Sequence, residues 1–597
     1  NQIQPTRAAS PAIRARPLSV FRFQESICEN SSAAYDARNF MPTLNWIGKE
    51  AVVNHHHQVP FHLLKDVPEL STGDPGSGNL IVQGDNLVAL KALLPYYAGQ
   101  VKCIYIDPPY NTGNESWIYN DSVNSPLIRE WLGKVVGKEA EDLSRHDKWL
   151  CMMYPRLQLL RQFLRKDGAI FVSIDDNEVG RLRMVMDEVF GATNFLSNVI
   201  WQKKYTRAND ATYFSDNHDH ILVYAKTKDA LELGRMERTE LQDKAYKNPD
   251  NHPFGAWKPT PLHAKSGVDT SAYTFKNGVT WSPPKGTFRR YNDVSMARLD
   301  ANNEIWFGKD GTATPQHKTF LGSLEVGLTP VTIWTHDVAG DNHIARDEVK
   351  ALLENTPLTF DNPKPTTLLS LILQLGADKN SLVLDSFAGS GTTGHAVQLL
   401  NKQDGGNRRF ILVEMESKIA RDITAERVKR VAQGYTNAKG ERVEGLGGGF
   451  RFCELGEPLF DERGQIKPSV RFADLARHVY FTETGEPLPD PVAADVRRLI
   501  SKPGAKESQS LLTSAATRQW SPLVGECRGV GIYLLFNGIL GDKSANGGNI
   551  LTRVVLAQLP KFDGQKVIYC AGCLLGKDRL QAERIIVRQT PYEIKVS

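Results

Sequence analysis

The chain has 597 residues, 41% of them hydrophobic and 23% charged, with a net charge of +4. That length exceeds one ordinary core, so two to four domains are expected, and the composition is that of a soluble globular protein. No apolar run approaches 18 residues, which argues against a membrane-spanning helix, and the small net charge means that any nucleic-acid footprint must be local.

The opening stretch "NQIQPTRAASPAIRARPLSV" is basic and free of acid but has no apolar centre. It reads as a disordered lead-in rather than a targeting peptide. The chain begins at Asn1 rather than Met, which leaves open a missing or trimmed start. After a loop rich in Gly, Pro and Ser ("STGDPGSGN"), "LIVQG" at 80–84 predicts a short buried strand and "NLVALKALLPYY" a helix. "VKCIYID" at 101–107 predicts a second strand, stopped by "PPYNTG" because prolines cannot continue a central strand. "WLCMMYPRLQLLRQFL" then predicts a helix, "GAIFVSID" a strand, "RLRMVMDEVFG" a helix closed by Gly191, and "HDHILVYAK" a strand. Strands alternating with helices indicate a doubly wound, mostly parallel α/β sheet.

From about 226 to 345 the alternation dissolves, and aromatic residues interleave with basic ones: Trp257, Tyr273, Phe275, Trp281, Phe288, Tyr291, Trp306 and Phe307. Between 247 and 318 there are ten Lys or Arg against six Asp or Glu. Alternation resumes with "TTLLSLILQLG" (helix), "SLVLD" (strand), "TGHAVQLLN" (helix) and "RFILVEM" (strand). The glycines of "EGLGGGF" mark a boundary near 445–449, beyond which "GVGIYLLF" and "KVIYC" suggest further strands. Seven cysteines without a framework spacing suit a reducing cytoplasm. Cys570 and Cys573 form one C-x-x-C without a second pair, so two cysteines near a strand end are preferred over a zinc site. His55, His56 and His57 cannot all face one metal, and a partly packed loop is expected there.

Two segments carry chemistry. In "DSFAGSGTTGHA", Gly389, Gly391 and Gly394 spell a dinucleotide-type glycine loop, with Glu414 20 residues after Gly394, where a ribose-binding acid sits. Gly389 and Gly394 also have the spacing of a nucleotide phosphate loop, but His395 stands in place of its Lys. "DPPY" at 107–110 is the more discriminating segment. An exocyclic amine on a base is a poor nucleophile because its lone pair is delocalised into the ring. A carboxylate (Asp107) and a backbone carbonyl on a proline-stiffened loop (Pro108, Pro109) can accept both amino hydrogens and stabilise the charge that develops on methylation. Tyr110 offers a flat face for an extruded base. No metal is required. Adjacent acids in "SIDD" point to opposite faces of a strand, so Asp175 is expected to border the site and Asp176 to cap the following helix.

The pairing of "IYIDPPYNTG" with "LVLDSFAGSGTTG" resembles the amino-group DNA methyltransferases in which DPPY precedes the glycine loop, the beta class. Within that class the chain resembles the modification (Mod) subunit of type III restriction–modification systems. The resemblance runs from about 45 to 435, through "LNWIGKEAVVNHH", "QGDNLVALKAL", "GAIFVSIDDNE" and "NVIWQKK", and again in "RIIVRQTPYEIK". It implies a permuted methyltransferase fold that binds S-adenosylmethionine and methylates N6 of a flipped adenine. The donor pocket it implies comprises Lys364 and Pro365 of "FDNPKP", Asp385, Phe387, Ala388, Gly389, Ser390, Gly391, Thr392, Thr393 and Glu414. Asp85 matches a family acid near the donor's adenine; capping the next helix is the alternative.

The implied organisation is an N-terminal extension (1–75), a catalytic half (76–225), a target-recognition insert (226–345), a donor-binding half (346–445) and a C-terminal α/β domain (450–597). In the insert, Lys285, Arg289 and Arg290 are candidates for phosphate contact, and aromatic residues for filling the gap left by the base. Double-stranded DNA, a second copy of the chain and a helicase–endonuclease subunit are the implied partners, in the cytoplasm. Alternatives are N4 of cytosine, whose amine needs the same chemistry, and a recognition module for a nuclease with little methylation of its own. C5 methylation is disfavoured by the lack of a Pro-Cys pair. A dinucleotide oxidoreductase leaves DPPY and the insert without a role.

Overall fold

The computed structural model describes residues 44–112, 141–209, 211–238, 240–324, 327–353, 360–437, 440–489, 522–536 and 548–590. The lead-in at 1–43 and the end of "RQTPYEIK" lie outside them. One ten-stranded sheet organises the chain. In chain order its elements are β1 (His62–Asp66), β2 (Leu80–Gln83), helix α1 (Asn86–Tyr97), β3 (Val101–Ile106), α2 (Glu141–Phe163) and β4 (Leu164–Ile174). There follow β5 (Phe195–Gln202), β6 (His218–Ala225), β7 (Ile333–Trp334), α3 (Thr366–Gly376), β8 (Leu382–Asp385), α4 (Thr392–Asp404), β9 (Arg409–Glu414), α5 (Glu426–Gln433) and β10 (Arg451–Pro458).

The strand order is β1-β10-β2-β9-β8-β3-β4-β6-β5-β7. The six strands from β10 to β4 are mutually parallel, and β1 and β6 run against their neighbours. Successive side chains alternate between the two faces, as the period of a strand requires. Leu80, Val82, Ile104, Ile106, Leu384 and Val413 pack with α1 and α2, whereas Ile81, Cys103, Tyr105, Val383 and Leu412 pack with α3 and α4. Both faces are thus covered, which is why these strands read as continuous apolar runs. From β8 the chain passes through α4 outward to β9, and from β3 through α2 to β4 on the other side. β8 and β3 are therefore the switch point of the sheet, and a crevice outside their carboxyl ends is where open α/β sheets bind ligands.

The sheet extends past the expected bounds. β10 lies beyond the "EGLGGGF" boundary yet pairs with β2, and β1 comes from the expected N-terminal extension. Both are half-polar strands toward one edge, without the apolar run that betrays a central strand. β5 is likewise absent from the expected elements, because half-buried residues alternate along it with buried Val199 and Trp201. His55–Gln58 is a short helix rather than a loop, and burial lowers the pKa of His56 to about 4.

The insert leaves after β6 and rejoins the sheet at β7, parallel to β5. Its strands Trp257–Pro261, Gln316–Phe320 and Ile305–Trp306 form a three-stranded sheet, beside a helix at Asp293–Ala301. Leu262, Phe275, Trp281, Met296, Leu299 and Ile305 make a separate core. Several of the aromatic residues expected to face DNA are therefore structural: Trp257, Phe275 and Trp281 are buried. Arg289 is also corrected. Its buried guanidinium donates to Asp293 at 2.6 Å and to Ser271 at 2.8 Å, and lies 3.3 Å from Asp269. It is committed to the insert's interior, while Lys285 and Arg290 are exposed. Beyond β10, a helix at Phe472–Thr484 packs on a four-stranded sheet to form a further α/β unit. Cys570 ends one of its strands and Cys573 follows, and the two are not joined in a disulfide. No described helix is long and apolar enough to cross a membrane.

Arg289→Ala is predicted to destabilise the insert by about 1–3 kcal/mol, whereas Lys285→Ala and Arg290→Ala change stability by less than about 0.5 kcal/mol. Urea unfolding followed by tryptophan fluorescence checks the contrast.

Candidate active site

Strand β3 ends in Asp107, and the loop that follows is held from both sides. The buried Trp149 indole donates to the Pro109 carbonyl at 2.7 Å. Asn111 is wholly buried with φ of 59°, a left-handed conformation that Asn tolerates better than most residues. Its amide donates to Glu178 Oε1 at 2.5 Å, and His146 Nδ1 meets the same oxygen. With the Pro109 carbonyl so engaged, the Pro108 carbonyl accepts no hydrogen bond among the described residues.

Asp107 Oδ2 accepts from the Lys364 ammonium at 2.6 Å, while Oδ1 is buried with no hydrogen-bond partner among the described residues. Burial raises the Asp107 pKa and the Lys364 charge opposes that rise. Lys364 Nζ also sits 5.0 Å from the centroid of the Tyr110 ring. The Tyr110 hydroxyl donates to Asp219 Oδ2 at 3.2 Å, and Asp219 Oδ1 accepts from Lys203 at 2.8 Å. Asp219, on β6, has no motif that could have announced it.

The glycine loop follows β8. Gly389 and Gly391 have φ of 49° and 79°. A Cβ on Gly389 would lie 2.8 Å from Phe360, and one on Gly394 would lie 3.0 Å from Val428 and 3.1 Å from Leu412. The first two glycines thus permit the turn, and the third brings helix α4 close to its neighbours, the division of labour found in dinucleotide loops. The Gly389 amide donates to Glu414 Oε2 at 2.8 Å and the Glu416 amide to Oε1 at 3.0 Å. Asp385 accepts from the Phe387 amide at 3.0 Å and from the Thr393 hydroxyl at 2.5 Å. Ser390 and Thr392 accept from the buried Arg427 at 3.0 and 2.9 Å, and the Thr392 hydroxyl donates to the Lys364 carbonyl at 3.1 Å. The hydroxyls of Thr392 and Thr393 are therefore engaged in holding the loop. Burial lowers the His395 pKa to about 3, leaving its imidazole neutral beside Arg427.

Lys364 is the residue that joins the two loops, by its ammonium to Asp107 and by its carbonyl to Thr392. Pro365 precedes α3 directly after it. Phe387 and Ala388 are buried within the glycine loop. Asp85 lies farther out and caps α1, its Oδ1 accepting from Leu87 at 2.9 Å and Val88 at 3.1 Å. Asp175 folds back on Asn177, at 3.0 Å to its amide. Asp176 does not cap the next helix; it is exposed and pairs with His220 Nε2 at 2.8 Å, because β6 lies beside the end of β4. Ligand atoms of Asp176, His218 and His220 all lie within 4.8 Å of one another. Such a donor set suits zinc, a grouping that no spacing in the sequence announces.

Two loops facing each other across the switch point, one rich in glycine and one presenting a buried carboxylate, define an α/β enzyme with places for two ligands. The chain belongs to the DNA methylase family, whose model matches residues 101–426. It is 38% identical over 382 residues to the Mod subunit of the type III restriction–modification enzyme StyLTI from Salmonella typhimurium, covering 60% of this chain and 57% of that one. It is 32% identical over 422 residues to the EcoPI Mod subunit of Escherichia phage P1, covering 63% and 64%. The chain thus spans less than two thirds of the length of either relative. PvuII DNA methyltransferase, described as cytosine-N4-specific, overlays 58% of this chain and 86% of its own at 12% identity and a TM-score of 0.30, too loose to argue from.

Burial pushes the Asp385 pKa from 3.8 up to about 7, against the Thr393 hydroxyl and the Phe387 amide. Its folded value lies above its unfolded one, so this contribution to stability is fully present below about pH 4 and is lost as pH rises through 7. Asp385→Asn removes the titration. Its urea midpoint is predicted to vary less between about pH 5 and pH 8 than that of the unaltered chain. An equal variation in the two proteins would count against the assignment.

Proposed function

We propose that the chain is a site-specific DNA methyltransferase that moves the methyl group of S-adenosylmethionine to N6 of an adenine extruded from the duplex. The observation that carries this is the buried Oδ1 of Asp107 beside the carbonyl of Pro108, neither of them engaged in a hydrogen bond among the described residues. Two acceptors on neighbouring residues, one of them anionic, match an amino group with two hydrogens to donate.

S-adenosylmethionine, when bound, supplies a methyl group on a positively charged sulfur. The glycine loop suits its methionine part, since backbone approaches closely where a side chain on Gly389 would collide with Phe360. Glu414 suits the ribose hydroxyls. Across the crevice, Asp107 and the Pro108 carbonyl draw the amine's lone pair onto nitrogen and stabilise the charge that develops there. Tyr110, its hydroxyl held by Asp219, stacks on the base. The Lys364 charge opposes the rise that burial imposes on the Asp107 pKa, and its ammonium holds Oδ2, which leaves Oδ1 to the amine.

Identity to two chains named as Mod subunits supports a role as the modification and recognition subunit of a type III restriction–modification system. In that role double-stranded DNA is the substrate, the insert reads the site with Lys285 and Arg290 as phosphate contacts, and Asp85 borders the donor's adenine. A second copy of the chain and a helicase–endonuclease subunit are the partners, in a reducing cytoplasm.

The test follows radiolabelled methyl from S-adenosylmethionine into unmethylated bacterial DNA, with the nucleosides resolved afterwards. Label in N6-methyladenine is expected. Label in N4-methylcytosine would retain the chemistry and overturn the base, and no label in DNA would overturn the reading.

A further inference from the structure

Residues 203–209 and 211–217 lie between β5 and β6 and include the two aromatic side chains with the least explanation in the fold. Tyr213 and Phe214 are 91% and 93% exposed. The described residues around them are tied together by hydrogen bonds. Asn217 Nδ2 donates to the carbonyls of Lys204 at 2.9 Å and Thr206 at 2.7 Å, and the Ala208 amide donates to Ser215 Oγ at 2.8 Å. Lys203 ties the root to Asp216 at 2.7 Å and to Asp219 at 2.8 Å. Tyr205, nearer the root, stacks on His336 with ring centroids 5.3 Å apart. Tyr213 and Phe214 have no ring or cation partner among the described residues.

Position and charge say what covers them. The root residue Asp219 is the same one that holds the Tyr110 hydroxyl, so the loop springs from the wall of the base pocket. Lys204 and Arg207 are exposed on it, without an ion pair among the described residues. Their neighbours Ala211, Thr212, Ser215 and Asp216 are small or polar, so the two rings do not extend into an apolar patch of the kind a protein interface requires. Two rings flanked by cations suit stacked bases between phosphates.

We propose that Tyr213 and Phe214 enter the duplex at the place the target base vacates and stack on the bases beside the gap. This rests on the reading of the chain as a methyltransferase acting on an extruded base. Extrusion breaks both pairing and stacking, and an aromatic wedge restores the stacking without regard to sequence. The wedge closes the duplex behind the extruded base, and Tyr110 receives that base in the pocket.

The test uses the full chain and the double variant Tyr213→Ala/Phe214→Ala on a duplex carrying the site mapped from DNA that the unaltered chain methylates. A second duplex has the same site with the target base placed opposite an abasic position, so that extrusion is already cheap. The variant is expected to lose about tenfold or more in kcat/KM on the paired duplex, to recover most of it on the second, and to bind S-adenosylmethionine as the unaltered chain does. An equal loss on both duplexes, or no loss on either, would overturn the wedge; the latter outcome leaves the rings to a protein surface. Failure of the unaltered chain to methylate any DNA would bring down the reading on which the wedge rests, a result distinguishable from either.

Discussion

A carboxylate withdrawn from water at the switch point of a parallel sheet is the constraint on which the rest of this structure depends. Asp107 is disfavoured as an anion by its burial, and what opposes that cost is a single ammonium, Lys364, 257 residues further along the chain. The lysine reaches Asp107 because its backbone is fastened on the opposite side, where its carbonyl takes the Thr392 hydroxyl. One residue therefore spans from the glycine loop to the loop that presents Asp107. Removing one partner of so buried a pair leaves the other uncompensated, which makes the contact a condition of the site's geometry as well as of its charge.

Around that pair the loops are braced by buried polar groups. Trp149 fixes the Pro109 carbonyl, Glu178 fixes Asn111 in its left-handed turn, and Arg427 gathers Ser390 and Thr392. The two loops are thus presented by rigid elements, as transfer between two ligands demands: a small error in the approach of donor and acceptor costs rate steeply. The insert is braced in the same way, by Arg289 among Asp269, Ser271 and Asp293 and by Lys318 on Asp250.

The central strands and both loops were legible in the sequence because burial on two faces leaves apolar runs, and because glycines and prolines mark where backbone must turn. The strands β1, β5 and β7 were not, since partly exposed or two-residue strands leave no period to read. Within the site, Asp107, Tyr110, Lys364 and the glycines could be singled out, but the Lys364–Asp107 contact could not, because only the folded sheet brings them together. The insert misled in an instructive way. Its excess of cations and aromatic rings read as a DNA surface, yet Trp257, Phe275 and Trp281 form its interior and Arg289 is paired four residues on with Asp293. A small domain needs its own core, and composition alone does not distinguish rings that build it from rings that face a ligand. Tyr213 and Phe214, outside the aromatic-rich stretch, are the most exposed aromatic side chains among the described residues.

The most direct measurement separates the two loops by function. Asp107→Asn keeps the shape of the side chain but removes its charge, and the glycine loop is untouched. Methyl transfer to DNA is predicted to fall by at least about a hundredfold while the affinity for S-adenosylmethionine, measured by calorimetry on the same protein, changes by less than about threefold. Transfer that survives the substitution, or donor affinity that falls together with it, would contradict the assignment of Asp107 to the acceptor side of the crevice.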